Sequence, residues 1–424
     1  MTATFSTQQA TPPIYGQRPV LILFVVGLLC VALLNLAEYA FMHRVELSFD
    51  PWGFAALPLA QFLLVPDRRP AWIACAAGLL LTFVLIHWLP ALRTFAEPIG
   101  LGVASVTVLS ATILVSPQRR GSALLALAAG SLVLIGQQIS QIGQYFTTTD
   151  ALTYDHRAYL VDLSLGFDPT AVVLSALNAL HGTLHSLVVL LVGLSYAAIM
   201  LMMAWVVLIH LRHRSPRWVL ALTALLLAGA VGGVLYHLFP AAGPAFAFRA
   251  FPALPPASAV SPAAAALDPR YARNCMPSLH ATWALLIAIN TAGLSRMLRG
   301  FAVAFAMLVI VATLYLGQHY LIDLIVAAPF TVAIQALAEA AVNRQRPGPA
   351  FWIGSGCVAA WLFVLVGNVE WLLAIPGLTL MASVLTLAVS TAAYLAGLRV
   401  TGTLTDVTAG DRHPARTVAA SARV

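Results

Sequence analysis

Residues 319–341 read HYLIDLIVAAPFTVAIQALAEAA, and this stretch decides the fold class of the chain. It provides the ~20 mainly apolar residues that a helix needs to cross a bilayer. The same composition holds throughout, because 61% of the 424 residues are hydrophobic and only 9% are charged. In soluble domains about a quarter of the residues are charged. We therefore predict an all-α integral membrane protein.

Apolar stretches of similar length recur along the chain, and they predict about twelve transmembrane helices. In residue numbers they are 19–41, 52–65, 71–92, 99–116, 121–146, 186–210, 217–239, 278–298, 300–316, 319–341, 351–367 and 369–397. The second stretch is short for a crossing, so a re-entrant or distorted segment is the alternative there. We divide the array into an N-terminal transmembrane extension (1–120), a six-helix core (121–343) and a C-terminal two-helix extension with a cytoplasmic tail (344–424).

Arginine supplies all 22 basic residues, and the formal net charge is +7. Such a charge in a soluble protein would suggest a nucleic-acid partner, but arginines are grouped in every second connection between apolar stretches, as in cytoplasmic loops. The groups are Arg18, Arg68–Arg69, Arg119–Arg120, Arg212–Arg214–Arg217, Arg296–Arg299 and Arg344–Arg346. We predict a multi-pass protein of the bacterial plasma (inner) membrane, with both termini cytoplasmic and no nucleic-acid partner.

The remaining connections are predicted to face the periplasm or exterior. One of them is acidic, and we place its Asp162 and Asp168 on a solvated loop. Another, residues 240–277, is rich in proline and alanine, which disfavours regular helix. Its length is consistent with a lid over the bundle and also with a plain linker.

Two polar clusters stand at the outer ends of neighbouring helices, RNCMPSLH at residues 273–280 and GQHYLID at residues 317–323. His280 and His319 are 39 residues apart (319 − 280). This is enough for about two crossings, so the chain returns to the same side and the histidines can meet. Asp323 lies about one turn into an apolar helix and needs a partner there. His319 shares its helix face and can use one ring nitrogen for Asp323 and the other as a nucleophile.

Pro277 and Ser278 are typical of a helix start, where proline suits the first turn and free N–H groups bind anions. Ser278 adds a hydroxyl, Arg273 suits phosphate oxygens, and His280 is placed to protonate a departing alkoxide. The predicted catalytic residues are His319, Asp323 and His280, and the predicted substrate-binding residues are Arg273, Ser278, Asn274 and Pro277. No cofactor is predicted, and no metal site, because the four cysteines show no CxxC spacing.

Other polar residues have simpler interpretations. His181 and His185 have the spacing of a metal-binding pair, but no third ligand is near in sequence, so a structural or substrate-contact role is favoured. Gln137, Gln141 and Gln144 form a polar stripe on one predicted helix. Such stripes are typical of interhelical hydrogen bonding, and a substrate path is the alternative.

The two clusters resemble the second and third motifs of the phosphatidic acid phosphatase type 2 superfamily, which end in Ser-x-His and His-x-x-x-Asp. Here these are Ser278-Leu279-His280 and His319-Tyr320-Leu321-Ile322-Asp323. The resemblance implies that His319 is a nucleophile that forms a phosphohistidine, that Asp323 orients it, and that His280 is the acid for the leaving group. It covers roughly residues 121–341, the six-helix core.

Two features differ from the lipid phosphatases of that superfamily. Those enzymes usually have a lysine in their first motif, and this chain has none. They also have an arginine shortly before the nucleophile, where Thr313 stands here, and Arg273 is the candidate replacement. The run YHLFPAAGP at residues 236–244 and the PSLH motif instead resemble the inositol-phosphorylceramide synthase branch, whose members are inositolphosphotransferases.

The predicted function is a membrane lipid phosphotransferase or phosphatase that acts through a phosphohistidine at the non-cytoplasmic face. Its partners are a lipid phosphate or phospholipid head group, an alcohol acceptor and the bilayer. The alternatives are a plain phosphatase with water as acceptor, a transporter of lipid-linked phosphate and a non-catalytic scaffold. An enzyme is favoured because the polar residues cluster at one face, whereas transporters place their sites at mid-bilayer.

Overall fold

The structure is a computed structural model that describes residues 56–88, 96–132, 152–267 and 271–400. These residues are mainly helical, which is consistent with an all-α membrane protein. The predicted crossing at 19–41 and both chain termini lie outside the described residues, as do Gln137, Gln141 and Gln144.

The described helices are numbered here in chain order. They are α1 Ala56–Leu64, α2 Arg69–Trp88, α3 Ala96–Val115, α4 at 120–132, α5 Asp155–Leu163, α6 Pro169–Asn178, α7 Gly182–Ala197, α8 Ile199–Arg212, α9 Arg217–Leu238, α10 Pro244–Ala247, α11 Leu279–Asn290, α12 Arg296–Tyr315, α13 Leu321–Asn343, α14 Pro349–Gly367, α15 Val369–Ala374 and α16 Leu378–Val400. A short antiparallel pair joins β1 (Leu152–Thr153) to β2 (Ala265–Ala266).

Five of these helices are long and apolar enough to cross a membrane, namely α9, α12, α13, α14 and α16. Helices α7 and α8 form a sixth candidate that is bent by 64°. Large apolar side chains point outward from three of these helices, with exposures of 58% for Met307, 64% for Phe363 and 59% for Leu385. Outward faces of this kind suit lipid and are unfavourable in water. The described residues are therefore compatible with a multi-pass membrane protein, and the predicted number of twelve helices stays a prediction.

The predicted crossing at 278–298 is wrong in its extent. Helix α11 ends at Asn290, and α12 begins only at Arg296. Gly293 lies between them with φ of +91°, a conformation that favours glycine. Ser295 then caps α12 through its hydroxyl. Helix α11 has 12 residues, fewer than the ~20 of a straight crossing.

Three other predicted crossings also differ from the structure. The stretch 52–65 contains the nine-residue α1, which is too short to span a bilayer. The stretch 186–210 belongs to the bent pair α7–α8 and is not one straight helix. The stretch 369–397 is interrupted between α15 and α16, where Gly377 has φ of +77°.

One hydrophobic core holds α9 together with the two helices that follow the polar clusters. Helices α9, α11 and α13 pack against one another, and Tyr236, Trp283 and Ile322 are buried members of the shared cluster. The cluster extends to Trp361 of α14 and Leu372 of α15. A smaller cluster joins α1, α3 and α4 to α8. The domain boundaries after residues 120 and 343 stay predictions.

Candidate active site

His280 and His319 lie together at one end of α11 and α13. Their ring centroids are 5.9 Å apart. His280 is half-buried in the first turn of α11, and His319 is 3% exposed in the connection that precedes α13. The expectation from sequence separation that the two imidazoles can meet is thus confirmed.

The imidazole of His319 is held at Nδ1. This nitrogen lies 3.0 Å from the carbonyl oxygen of Cys275 and 3.5 Å from Oδ2 of Asp323. Because a carbonyl oxygen can only accept, the contact assigns the proton to Nδ1 and leaves the lone pair on Nε2. The predicted contact with Asp323 is present, but the shorter one is made by the backbone of Cys275, which sequence analysis missed.

Asp323 is fully buried in the first turn of α13. Its Oδ2 accepts the backbone N–H of Tyr320 at 2.8 Å and the thiol of Cys275 at 2.6 Å. The bond to Tyr320 belongs to a capping box at the start of the helix. His319 precedes this helix, so the prediction of a shared helix face is wrong. The two side chains meet because the cap turns the chain back.

The thiol of Cys275, Nδ1 of His319 and the carboxylate of Asp323 lie within 4.8 Å of one another and could hold a metal ion. Spacing in sequence cannot reveal this group, because its members come from two separate segments. Burial raises the pKa of the Cys275 thiol well above its ordinary value, so the thiol keeps its proton for the bond to Asp323. Burial also lowers the pKa of His319 to about 4, with the Cys275 carbonyl opposing the shift.

A helix starts here, as predicted; Ser278 caps α11, and its Oγ accepts the backbone N–H of Ala281 at 3.3 Å. The backbone N–H of Ser278 donates to the carbonyl of Asp323 at 3.3 Å, which joins the starts of α11 and α13. The prediction of Pro277 in the first turn is wrong, because the capping position needs an extended residue with a side-chain acceptor and falls on Ser278. The N–H groups of this helix start adjoin His280.

The ring of His280 stacks on Tyr196 of α7, with centroids 4.2 Å apart and planes at 13°. It also meets Trp283 edge-on, with centroids 6.2 Å apart. The stacking fixes the orientation of the ring. Burial and the neighbouring His319 lower the pKa of His280 to about 3, so the ring is neutral on its own, and an anion beside it favours the protonated form that a general acid requires. Tyr196 was not predicted, because it lies in an apolar stretch far from either motif.

Arg273 is fully buried in the segment that leads to α11. Its Nη2 donates to the carbonyl of Leu267 at 2.9 Å, and its Nη1 donates to the carbonyl of Tyr271. The guanidinium therefore braces its own loop, next to half-buried Asn274. Phosphate binding by Arg273 and Asn274 stays a prediction.

Thr313 stands where an arginine was expected, and it is buried in α12. Its carbonyl accepts the backbone N–H groups of Gln318 at 2.9 Å and His319 at 3.3 Å, while its hydroxyl donates to Ile310. The residue thus supports the turn that carries His319 and brings no positive charge to it.

Asp155 of α5 is buried and binds two segments of the site at once. Its carboxylate accepts the backbone N–H groups of Ala242 at 3.0 Å and Gly243 at 2.8 Å, and the hydroxyl of Tyr320 at 3.0 Å. Burial raises the pKa of Asp155, and these N–H and O–H donors oppose the shift. The carboxylate holds the segment after α9 beside the segment that carries His319.

Asp162 caps the start of α13, and its placement on a solvated loop is wrong. It is 2% exposed, and it accepts the backbone N–H groups of Leu321 at 2.6 Å and Ile322 at 2.9 Å. The signal was present in the sequence, because Asp155 and Asp162 are seven residues apart and so share one helix face. Half-buried Asp168 caps α6.

The first residues of the segment 240–277 pack against the turn that carries His319. Its Ala245 N–H donates to the carbonyl of Gly317 at 2.8 Å, and Gly243 has φ of +99°. A Cβ on Gly243 would lie 2.3 Å from the carbonyl oxygen of Gln318, so a larger residue does not fit there. The start of the segment therefore packs closely against the turn before His319, and the choice between a lid and a linker stays a prediction.

His181 and His185 show a structural arrangement. His181 is the residue before α7, and Nδ1 of His185 lies 2.9 Å from the carbonyl oxygen of Leu177 in α6. This contact fastens the turn between the two helices, which agrees with the structural interpretation of the pair.

Replacing Asp162 with alanine is expected to destabilise the protein by about 3 kcal/mol, because two buried N–H groups at the start of α13 lose their acceptor. The measurement is the midpoint of thermal unfolding in detergent, with Asp168→Ala as the matched control. Asp168 caps the half-exposed start of α6, where the loss is about 1 kcal/mol. Equal midpoints for the two variants would show that Asp162 does not hold the catalytic helix start.

Residues 157–337 match the family model described as the PAP2 superfamily. The match supports that superfamily. It runs from within α5 to near the end of α13, and so contains His280, His319 and Asp323. No curated protein and no solved structure gives a significant match to the chain. The match suggests lipid phosphatase or phosphotransferase chemistry, and the inositolphosphotransferase branch remains a prediction.

Proposed function

We propose that the protein is a membrane lipid phosphotransferase or phosphatase in which His319 attacks phosphorus and forms a phosphohistidine. The observation that carries the proposal is the pair of imidazoles, 5.9 Å apart, beside the start of α11. One ring has its Nδ1 hydrogen-bonded and its Nε2 available, and the other lies on an aromatic face. Transfer of a phosphate group needs a nucleophile on one side of the phosphate and a proton donor on the other, and the two rings are arranged in this way.

In the first step, Nε2 of His319 attacks the phosphorus atom of the lipid phosphate. The new N–P bond forms as the P–O bond to the leaving alkoxide breaks, and His280 gives its proton to that oxygen. As Nε2 becomes positively charged, Nδ1–H is held by the Cys275 carbonyl and the nearby carboxylate of Asp323. Low-dielectric surroundings strengthen this stabilisation.

In the second step, an acceptor hydroxyl attacks the phosphohistidine. Neutral His280 removes the proton from this hydroxyl, the O–P bond forms, and the N–P bond to His319 breaks. Water as acceptor gives free phosphate, and an alcohol as acceptor gives a phosphate ester. The chemistry is the same in both cases, so transferase and phosphatase differ only in which hydroxyl the site admits.

The phosphate oxygens are proposed to rest on the start of α11. The N–H groups of this first turn adjoin His280. The Ser278 oxygen accepts the N–H of Ala281, and the hydrogen of its hydroxyl is available to donate to a phosphate oxygen. Arg273 supplies positive charge from the preceding segment. These donors are proposed to replace the lysine of the first motif and the arginine before the nucleophile, which this chain lacks.

A lipid substrate is supported by the apolar surface at the same end of α9. Leu238 in its last turn is 55% exposed, and Val234 one turn earlier is 65% exposed. An apolar groove of about 500 Å³ runs from Leu235 and Leu238 to Phe330 and Ile334 of α13. We propose that an acyl chain lies in this groove while the phosphate reaches His319.

The proposal is tested by turnover on a panel of lipid phosphates and phospholipids with the purified protein in detergent. Released phosphate and new phosphate ester are quantified separately in the presence of inositol, glycerol or neither. We expect turnover of at least one substrate, unaffected by a chelator. New ester that rises with alcohol concentration at the expense of free phosphate identifies a transferase. Absence of turnover on every substrate would contradict the proposal and leave the transporter alternative.

The acid limb of kcat/KM is expected well below pH 6. His319 attacks only when neutral, and with a pKa of about 4 it becomes protonated only as the pH falls towards that value. Activity should therefore fall as the pH is lowered from about 5 to about 3. The measurement is a kcat/KM profile corrected for the ionisation of the substrate phosphate. A limb at about 6.5, the ordinary histidine value, would show that His319 is not held in the buried environment described above.

A further inference from the structure

A second polar cavity lies at the opposite end of α11 from His280. Its volume is about 520 Å³, and it is bounded by the end of α8, the start of α9 and the connection from α11 to α12. Its lining includes His210, His213, Arg217, Gly293 and Ser295. The proposed phosphoryl transfer uses none of these residues.

His210 has a free ring nitrogen at this cavity. The side chain is 1% exposed, and Nε2 lies 2.7 Å from the carbonyl oxygen of Asn290. The carbonyl only accepts, so Nε2 carries a proton. Among the described residues Nδ1 has no hydrogen-bond partner. A buried polar atom without a partner costs about 1–3 kcal/mol, which a ligand in the cavity would recover.

The charges around the cavity select an anion. Arg217 and His213 line it, and none of the described lining residues is acidic. Arg217 donates one N–H to the carbonyl of Ala292 and has further donors on its guanidinium. Helix α12 starts at the cavity wall with Arg296 and has no acidic residue in its first turn. Positive charge at a helix N-terminus is unfavourable unless an anion offsets it.

We infer that this cavity binds a phosphate group, either free or as part of an anionic lipid head group. The negative charge of the bound anion favours a second proton on the ring of His210, and Nδ1 then donates to the anion. Arg217 donates from its guanidinium, and the first N–H groups of α12 complete the cradle. The positive connections that surround it are those predicted to be cytoplasmic. The site is therefore a second anion site, separate from His319 and on the other side of the membrane.

The test is hydrogen–deuterium exchange of the full-length protein, read by mass spectrometry on peptides that cover residues 292–298. The protein is measured in nanodiscs of phosphatidylcholine with inorganic phosphate or with chloride of equal ionic strength, and in nanodiscs that contain phosphatidylglycerol. We expect exchange in this peptide to slow at least threefold with one of the two anions. Peptides around residues 273–281 report the active site separately.

The decisive variant is His210→Gln, since a glutamine amide can keep the bond to the Asn290 carbonyl but has no donor at the Nδ1 position. The control is His237→Gln, an exposed histidine in the last turn of α9. Protection by phosphate alone or by the anionic lipid alone, lost in His210→Gln and kept in His237→Gln, supports the site and identifies the source of the anion. No protection with either anion, or equal protection in both variants, overturns it.

Discussion

Replacing His319 with alanine is expected to lower kcat/KM for the preferred lipid phosphate by on the order of 10⁴-fold or more, because the covalent intermediate forms on its ring nitrogen. His280 is 5.9 Å away but holds the acid position on Tyr196. Affinity for the lipid should change little, since the cradle at the start of α11 is untouched. The measurement is steady-state turnover together with equilibrium binding of the lipid.

The matched control for this variant is His237→Ala. His237 is exposed at the end of α9, near the same end of the bundle, and makes no part of the proposed machinery. We expect its turnover to stay within about twofold of the original, as for surface substitutions in general. If the His319→Ala protein keeps turnover comparable to this control, the assignment of the nucleophile is wrong.

Replacing His280 with alanine is expected to lower turnover of an alkyl phosphate by about 10²–10⁴-fold, the usual contribution of a general acid. The loss should depend on the leaving group. A nitrophenyl phosphate releases nitrophenolate, a stable anion that needs no proton from His280. The first step with this substrate should therefore be almost unchanged. The measurement is burst-phase release of alcohol or nitrophenol from the two substrates.

Trp283→Phe is the control for the His280 variant, because it keeps an aromatic edge against the ring of His280 but changes the packing of α11. We expect it to affect the two substrates equally. Equal losses for alkyl and nitrophenyl phosphates in His280→Ala would mean that the residue only maintains the shape of the site.

Much of the site follows from sequence because its motifs are local. The cap at Ser278 and the contact of His319 with Asp323 depend on residues a few positions apart, and the two histidines meet because a chain of that length crosses and returns. The apolar character of α9, α12, α13, α14 and α16 is likewise a property of single stretches. Such features need no knowledge of distant partners.

Other features depend on contacts between distant segments, and these were missed. Asp162 reaches the start of α13 across 159 residues, and Asp155 reaches Tyr320 across 165. Both residues belong to α5, a short polar helix whose composition resembles that of a solvated loop. Its burial against other segments cannot be predicted from that composition. The contact with the Cys275 carbonyl was missed for another reason. Every residue has a backbone carbonyl, so the residue type does not indicate which one accepts a hydrogen bond.

Helix lengths were misjudged where glycine interrupts an apolar run. Hydrophobicity alone continues through Gly293 and Gly377, but both have positive φ, and the chain turns at each. The turn at Gly293 shortens α11 and creates the wall of the second cavity. Composition thus predicts how much of the chain is apolar better than it predicts where each helix ends.

The most direct test of the central proposal is to trap the intermediate. The purified protein is mixed with a ³²P-labelled lipid phosphate, quenched rapidly in alkali, and digested for mass spectrometry. We predict a label that is stable in alkali, is lost in acid, and maps to a peptide with phosphate on His319, with none in His319→Ala. A turnover-competent protein that shows no such label, or carries it on another residue, would contradict the account.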